Sequence, residues 1–245
     1  MPFADNQGMR IHYQLAGSGP PLVLQHGFTD SLESWKELGY VDLLKREYRL
    51  ILVDARGHGA SDKPHEPAAY KLKHRVSDIV AILNDLQINT AHYWGYSMGG
   101  WIGFGMAKYA SSRLSALIIG GAQPYGNDFS YARNALSEGI ETWAALLESR
   151  GNLSEEASVR IRENDVQALL TAAQDRPDMS DVLADIKVPF LLYSGREDDQ
   201  FELIERCAKE HSKATLLSFP ELDHIGIMAR SDLAVPPIMD FLASV

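Results

Sequence analysis

Residues Gly95-Tyr96-Ser97-Met98-Gly99 constrain this chain more tightly than any other stretch. They lie between Ala91 to Trp94, which reads as a short buried strand, and Trp101 to Tyr109, which reads as a helix. A serine at the apex of so sharp a strand-to-helix turn is held in a strained backbone conformation. Its hydroxyl then projects from the end of the sheet. Side chains two residues to either side would collide there, and Gly95 and Gly99 remove them. The helix start places free N–H groups and a positive dipole end beside Ser97, which favours negative charge developing at that point.

The rest of the chain supplies a sheet for this turn. Residues 2 to 16 read as two short strands with a turn near Gly8, and Arg10 to Leu15 alternates in polarity. Leu22-Val23-Leu24-Gln25, Arg49 to Val53, Leu114 to Ile119, Pro189 to Ser194 and Ala214 to Phe219 read as further strands. Short apolar runs of this kind mark strands buried on both faces. Ser34 to Arg46 reads as helical with an interruption near Gly39, and Phe201 to His211 as another helix. Tyr70 to Leu86 is amphipathic, with Val76, Ile79, Val80, Leu83 and Leu86 on the helical period. Strands alternating with helices imply an α/β fold with a mostly parallel central sheet flanked by helices.

One interval breaks the rhythm. From Gly121 to Val188 no strand is expected, a span longer than one crossover needs. Glu138 to Arg150 and Ser154 to Gln174 read as helices, the second capped by Ser154 with Glu155 and Glu156 in its first turn. Residues 122–180 are therefore expected to form a small helical lid, inserted before the penultimate strand. Residues 1–121 and 181–245 are expected to form the core. The lid would cover the carboxyl edge of the sheet, where open α/β sheets bind ligands.

Charge and cysteine content narrow the function classes. Lys and Arg number 23 against 33 Asp and Glu, and the net charge of −10 argues against nucleic-acid and anionic-membrane partners. No apolar run approaches the ~20 residues of a membrane span. The start, Met-Pro-Phe-Ala-Asp-Asn-Gln, has no basic n-region and no apolar h-region, so a cytoplasmic location is expected. On that reading the Asn152-Leu153-Ser154 sequon is accidental. Cys207 is the single cysteine, read as a buried structural thiol, which excludes a disulfide framework. Neither metal-ligand spacing nor a dinucleotide G-x-G-x-x-G is found, so no metal and no cofactor is expected.

An activated serine needs a base, and the base needs an orienter. Gly195-Arg196-Glu197-Asp198-Asp199 follows one expected strand, and Asp223-His224-Ile225-Gly226 comes shortly after the last. Both lie past strand carboxyl ends, where loops can bring them to Ser97. His26-Gly27-Phe28 follows an early strand, and Asp54-Ala55-Arg56-Gly57-His58-Gly59-Ala60-Ser61 follows another. In this order the motifs resemble the α/β-hydrolase fold family of serine hydrolases. The resemblance spans nearly the whole chain and is weakest in the insertion.

The resemblance implies that Ser97 is the nucleophile, His224 the general base and then acid, and Asp198 the residue orienting His224. It implies an oxyanion hole from the backbone N–H groups of Phe28 and Met98. Gly27, Tyr96, Tyr125, Phe129, Trp143 and Ile225 are the expected pocket residues, with the lid's own small core as the equal alternative for Phe129, Tyr131 and Trp143. The Gly-x-x-Asp register selects Asp198, leaving Asp199 to cap or charge the first turn of the following helix. His26 and His58 are read as loop braces, Asp54 and Arg56 as a structural pair, and Trp94 as sheet core. The implied activity is hydrolysis of carboxylic esters of small to medium, mostly apolar acyl groups, by a monomer or homodimer acting on a small-molecule ester. A triad-retaining ligand sensor signalling through the lid, and a cofactor-free perhydrolase or lactonase, are the alternatives. Dehalogenases and epoxide hydrolases of the fold use an aspartate nucleophile where this chain has Ser97. Carbon–carbon bond hydrolases often carry tryptophan where it has Ile225.

Overall fold

A computed structural model describes residues 2–151 and 153–245, so Asn152 of the sequon lies outside the described residues. Eight strands form one sheet in the order β1-β2-β4-β3-β5-β6-β7-β8. β1 (Phe3–Asn6) and β2 (Met9–Ala16) make an antiparallel hairpin. Its turn needs positive φ at both Gln7 and Gly8, as tight hairpin turns do. β2 also runs antiparallel to β4 (Arg49–Val53). β3 (Pro21–Gln25), β5 (Ala91–Tyr96), β6 (Leu114–Gly120), β7 (Phe190–Gly195) and β8 (Ala214–Phe219) complete the sheet in parallel with β4. The apolar runs of the inner strands reflect helices on both faces: Leu50, Ile51, Leu52 and Val53 are all fully buried.

The chain lays β3 down first, pairs β4 on one side of it and returns to pair β5 on the other. Strand order therefore reverses at β3, and a crevice opens at the carboxyl ends of β3 and β5. The residues after those strands are His26-Gly27-Phe28 and Ser97.

Around the sheet, α1 (Glu33–Glu37) and α2 (Tyr40–Leu44) are separated at Gly39, where φ is +82°. A 3-10 turn, Pro67–Tyr70, precedes α3 (Leu72–Asp85). α4 (Met98–Ala110) begins directly after Ser97, three residues earlier than the apolar pattern suggests. The glycines explain the early start. A Cβ on Gly99 would stand 2.1 Å from the Gln25 carbonyl oxygen, and one on Gly95 would stand 2.2 Å from that of Gly99. The first turn of α4 thus lies directly against the ends of β3 and β5.

Between β6 and β7 come α5 (Ser130–Ser137), α6 (Ile140–Arg150), α7 (Glu155–Arg162) and α8 (Val166–Ala172). A 3-10 turn, Ser180–Asp185, leads into β7. Two expectations fail here. The helix read over Ser154 to Gln174 is two helices, because the Asp165 carboxylate accepts from the Ala168 N–H at 2.9 Å and starts a new one. α5 was not expected, since it is only eight residues long and buries only Ala132, Ala135 and Leu136. Ser154 does cap α7, accepting from Ala157 N–H at 3.1 Å. These helices enclose their own small core of Phe129, Leu136, Trp143, Ile161 and Leu169. Arg160 fastens them to the sheet side, reaching Asp30 at 2.7 Å and Glu37 at 2.5 Å.

The chain closes with α9 (Phe201–Glu210), α10 (His224–Met228) and α11 (Ser231–Ala243). α11 carries Pro236 and Pro237, which disguise it as a non-helical segment in the sequence. Burial of Ala234, Val235, Ile238 and Leu242 holds it in place regardless. Cys207 on α9 is buried, and that burial pushes its thiol pKa up to about 12. Among the described residues no helix is long and apolar enough to cross a membrane.

Candidate active site

Ser97 has φ +52° and ψ −109°, a conformation a non-glycine residue rarely adopts, at a cost of about 1–3 kcal/mol. Neighbouring elements hold it there. Its N–H donates to the Gly120 carbonyl of β6 at 2.8 Å, and its carbonyl accepts from Trp101 N–H at 3.0 Å. Gly27 presses against it, since a Cβ on that glycine would lie 3.5 Å from the Ser97 Cβ. The Met98 side chain turns away from the crevice, and its Sδ accepts from the Arg75 guanidinium at 3.2 Å. Met98 and Phe28 therefore bring backbone N–H groups to the two segments that meet at Ser97.

The loops after β7 and β8 are laced together by backbone bonds, Arg196 N–H to Phe219 and Glu197 N–H to Leu222. That lacing sets Asp198 beside His224. The Asp198 carboxylate, 5% exposed, lies 2.7 Å from His224 Nδ1. It also accepts from the Ser194 hydroxyl at 3.2 Å and the Gln200 N–H at 2.9 Å. Burial alone would raise its pKa, but the hydrogen bond and charge of His224, with the Gln200 and Ser194 bonds, hold it below the usual carboxylate value. Glu197 and Asp199 are exposed. Asp199 does not cap α9: Gln200 holds the N-cap position without a side-chain cap bond, and the Phe201 N–H donates to the Asp198 carbonyl at 2.8 Å.

His224 is the first residue of α10, whose N-cap Asp223 accepts from Gly226 N–H at 2.6 Å. The Tyr96 hydroxyl donates to the His224 carbonyl, and the two rings stand 5.3 Å apart. Gly121, with φ +56°, leaves room for the imidazole, whose Cε1 would be 2.9 Å from a Cβ there. Ser97 and His224 line one cavity of about 470 Å³. Among the described residues no hydrogen bond joins the Ser97 hydroxyl to His224.

Gly27, Phe28, Tyr96, Phe129, Trp143 and Ile225 all line this cavity. Tyr125 does not, contrary to expectation: its hydroxyl donates to Glu210 at 2.8 Å and its ring lies under Arg206. Phe28 is the aromatic hub, 5.7 Å from Phe129 and 5.8 Å from Trp143, both edge-on. Phe129 and Trp143 thus serve the insertion's core and the cavity wall together. The sequence reading missed the arginines of the wall, Arg150, Arg160 and Arg176.

The neighbouring polar residues are structural. His26 accepts from Ala55 N–H through Nε2 at 3.0 Å, and its Nδ1 lies 2.7 Å from the Gly27 carbonyl. His58 Nδ1 meets the Arg56 carbonyl at 3.1 Å. Burial pushes the pKa of both imidazoles down. Asp54 and Arg56 do not pair with each other. Asp54 takes His12 at 2.7 Å and the N–H groups of Leu32 and Ala60, while Arg56 grips Asp78 at 2.5 and 2.6 Å. Trp94 is fully buried in the sheet and donates to the Tyr193 hydroxyl at 3.0 Å.

Comparison with known proteins places these features in a family. Residues 20–157, more than half of the chain, match the family model described as alpha/beta hydrolase fold. A Bacillus subtilis (strain 168) protein provisionally named 2-succinyl-6-hydroxy-2,4-cyclohexadiene-1-carboxylate synthase is 27% identical, over 96% of each chain. The enol-lactonase from Burkholderia xenovorans LB400 superposes with a TM-score of 0.89 at 23% identity, covering 99% of this chain and all of that one. A thermophilic esterase from Thermogutta terrifontis gives 0.87 at 22% identity, covering 99% and 98%. At these identities the two structures speak to the fold. With the strand order and the Gly95–Gly99 turn already in view, the matched residues show that this chain belongs to the alpha/beta hydrolase fold family.

Proposed function

We propose that the protein is a serine hydrolase that cleaves carboxylic esters of small to medium acyl groups through an acyl-serine intermediate. The observation that carries this reading is the Asp198–His224 pair, bonded at 2.7 Å and sharing a cavity with a serine held at positive φ. Ser97 Oγ attacks the ester carbonyl carbon while His224 Nε2 takes the hydroxyl proton. The carbonyl π electrons move to oxygen, where the Met98 and Phe28 N–H groups receive the negative charge. Collapse of that intermediate breaks the bond to the leaving oxygen, which takes the proton from His224. Water then repeats the sequence on the acyl-serine, releasing the acid and restoring Ser97. Asp198 keeps the imidazole in the tautomer that presents a free Nε2 and stabilises the imidazolium. Substrate binding would bring Ser97 and His224 into the hydrogen bond that the free protein lacks. The helices between β6 and β7 act as the lid, with Phe129 and Trp143 closing on the acyl chain.

The test is a panel of short acyl 4-nitrophenyl esters, lactones and amides, assayed with the wild type and Ser97→Ala. The wild type should turn over esters repeatedly, and Ser97→Ala should lose roughly 10⁴- to 10⁶-fold in rate with its fold intact. A wild type that turns over no ester would refute the reading. A single slow turnover would point instead to a ligand sensor.

A further inference from the structure

Three arginines face the cavity, and they differ in what holds them. Arg160 is engaged by Asp30 and Glu37. Arg150 is exposed at the rim, 5.0 Å over the Tyr131 ring. Arg176 is half-buried, 4.5 Å from the Phe129 ring centre and 5.0 Å from that of Trp101. Among the described residues no carboxylate pairs with its guanidinium, and no oxygen accepts a hydrogen bond from it. The acids beside it in sequence are committed elsewhere. Asp175 binds Arg133 at 2.6 Å and the Phe129 N–H at 2.9 Å, and Asp178 binds Ser180.

A second cation lies under the same indole. The Arg75 guanidinium is 6.0 Å from the Trp101 ring, its N–H groups satisfied by the Tyr70 and Ala172 carbonyls and Met98 Sδ. Burial pushes the Arg176 pKa down to about 9, and Arg75 adds to the push, yet the group remains charged at neutral pH. Contact with aromatic faces offsets only part of what desolvating a guanidinium costs. Among the described residues the five donors of the Arg176 fork thus have no protein acceptor on the cavity wall.

The position is close to the chemistry. The backbone N–H of Trp101 donates to the Ser97 carbonyl, so the residue whose ring Arg176 covers is one helical turn along α4 from the nucleophile, and Arg176 and Ser97 line the same cavity. We propose that the substrate carries a carboxylate a short carbon chain away from its ester carbonyl, and that Arg176 receives it through a bidentate pair. This rests on the ester-hydrolase reading and names its substrate class: hemiesters and lactone acids. A planar carboxylate matches the guanidinium fork. A dianionic phosphate suits the site less well, because Asp199, Glu197 and Asp223 stand in the same cavity wall.

The probes are mono-(4-nitrophenyl) succinate, glutarate and adipate, each paired with its methyl-capped diester, which keeps the length and removes the charge. The wild type should favour at least one hemiester over its capped partner by tenfold or more in kcat/KM. Arg176→Met should cut that ratio by about 10- to 100-fold, the range expected for losing a charged hydrogen-bonded pair. Arg176→Lys, which keeps the charge without the fork, should fall between. A wild type that prefers every capped diester, or a ratio unmoved in Arg176→Met, overturns the proposal. Should Arg176→Met fail to fold, the wild-type ratio and Arg176→Lys still decide. Calorimetric binding of monomethyl glutarate to Ser97→Ala, with and without Arg176→Lys, separates this claim from hydrolysis itself. Weaker binding in the double variant supports the carboxylate site even when no ester is turned over, and equal binding refutes it.

Discussion

Asp198 and Asp199 are adjacent acids with opposite surroundings. Asp198 is buried and accepts from His224, Ser194 and Gln200, whereas Asp199 is exposed. Asp198→Asn should therefore lower kcat by about 10³- to 10⁴-fold, as when the histidine loses the acceptor that fixes its tautomer. Asp199→Asn should change it by less than about tenfold, since no contact to His224 is lost. Steady-state rates at saturating ester compare the two, and the reverse order would contradict the assignment. Cys207, buried and pushed up to about 12, should ignore a disulfide reagent at pH 8 until urea unfolds the chain. Partner choice at this scale was only partly legible. Gly-x-x-Asp marked Asp198 because the register of a loop is local. Asp54 and Arg56 were misread as a pair because their true partners, His12 and Asp78, are chosen by packing between distant segments. Arg176 was invisible for the same reason: flanked by Asp175 and Asp178, it reads as a solvated charge run.

Elements were legible where their cause is local. The inner strands announced themselves as apolar runs, and the glycines of the turn announced the close approach of α4 to β3. Gly99→Ala would push a Cβ to 2.1 Å from the Gln25 backbone oxygen, which cannot swing away. It should cost about 3 kcal/mol or more by urea titration. A variant within 1 kcal/mol of wild type would show that the turn is less tightly packed than described. Illegible elements had weak or contrary local signals. α5 is short and sparsely apolar, the α7–α8 break depends on one aspartate cap, and α11 contains two prolines. The insertion's attachment likewise depends on tertiary contacts. Arg160→Ala should remove the clasp to Asp30 and Glu37 and speed amide exchange in Glu155–Arg162, while exchange in the sheet stays as it was. Unchanged exchange in α7 would mean that the aromatic contacts around Phe28 hold the insertion by themselves.

At the scale of the whole molecule, the loops behind the site depend on two buried imidazoles. His26 and His58 are both fully buried, and burial pushes both pKa values below the ordinary ~6.5. The unfolded chain therefore binds protons below that pH that the native state refuses. Stability should be level above about pH 6.5 and fall as pH drops through 6 and 5, by at most about 2.7 kcal/mol per pH unit for two such groups. Urea midpoints at pH 7.5, 6.5 and 5.5 would show it, and a level series would argue against neutral histidines in these loops. The fold, the turn and the paired loops support the proposal that Ser97 Oγ forms the covalent intermediate. The most direct test is to label the wild type with a fluorophosphonate and map the adduct by peptide mass spectrometry. One adduct per chain on Ser97, absent from Ser97→Ala and accompanied by loss of ester turnover, is the predicted result. An adduct on another residue, or turnover that persists after complete labelling of Ser97, would contradict it.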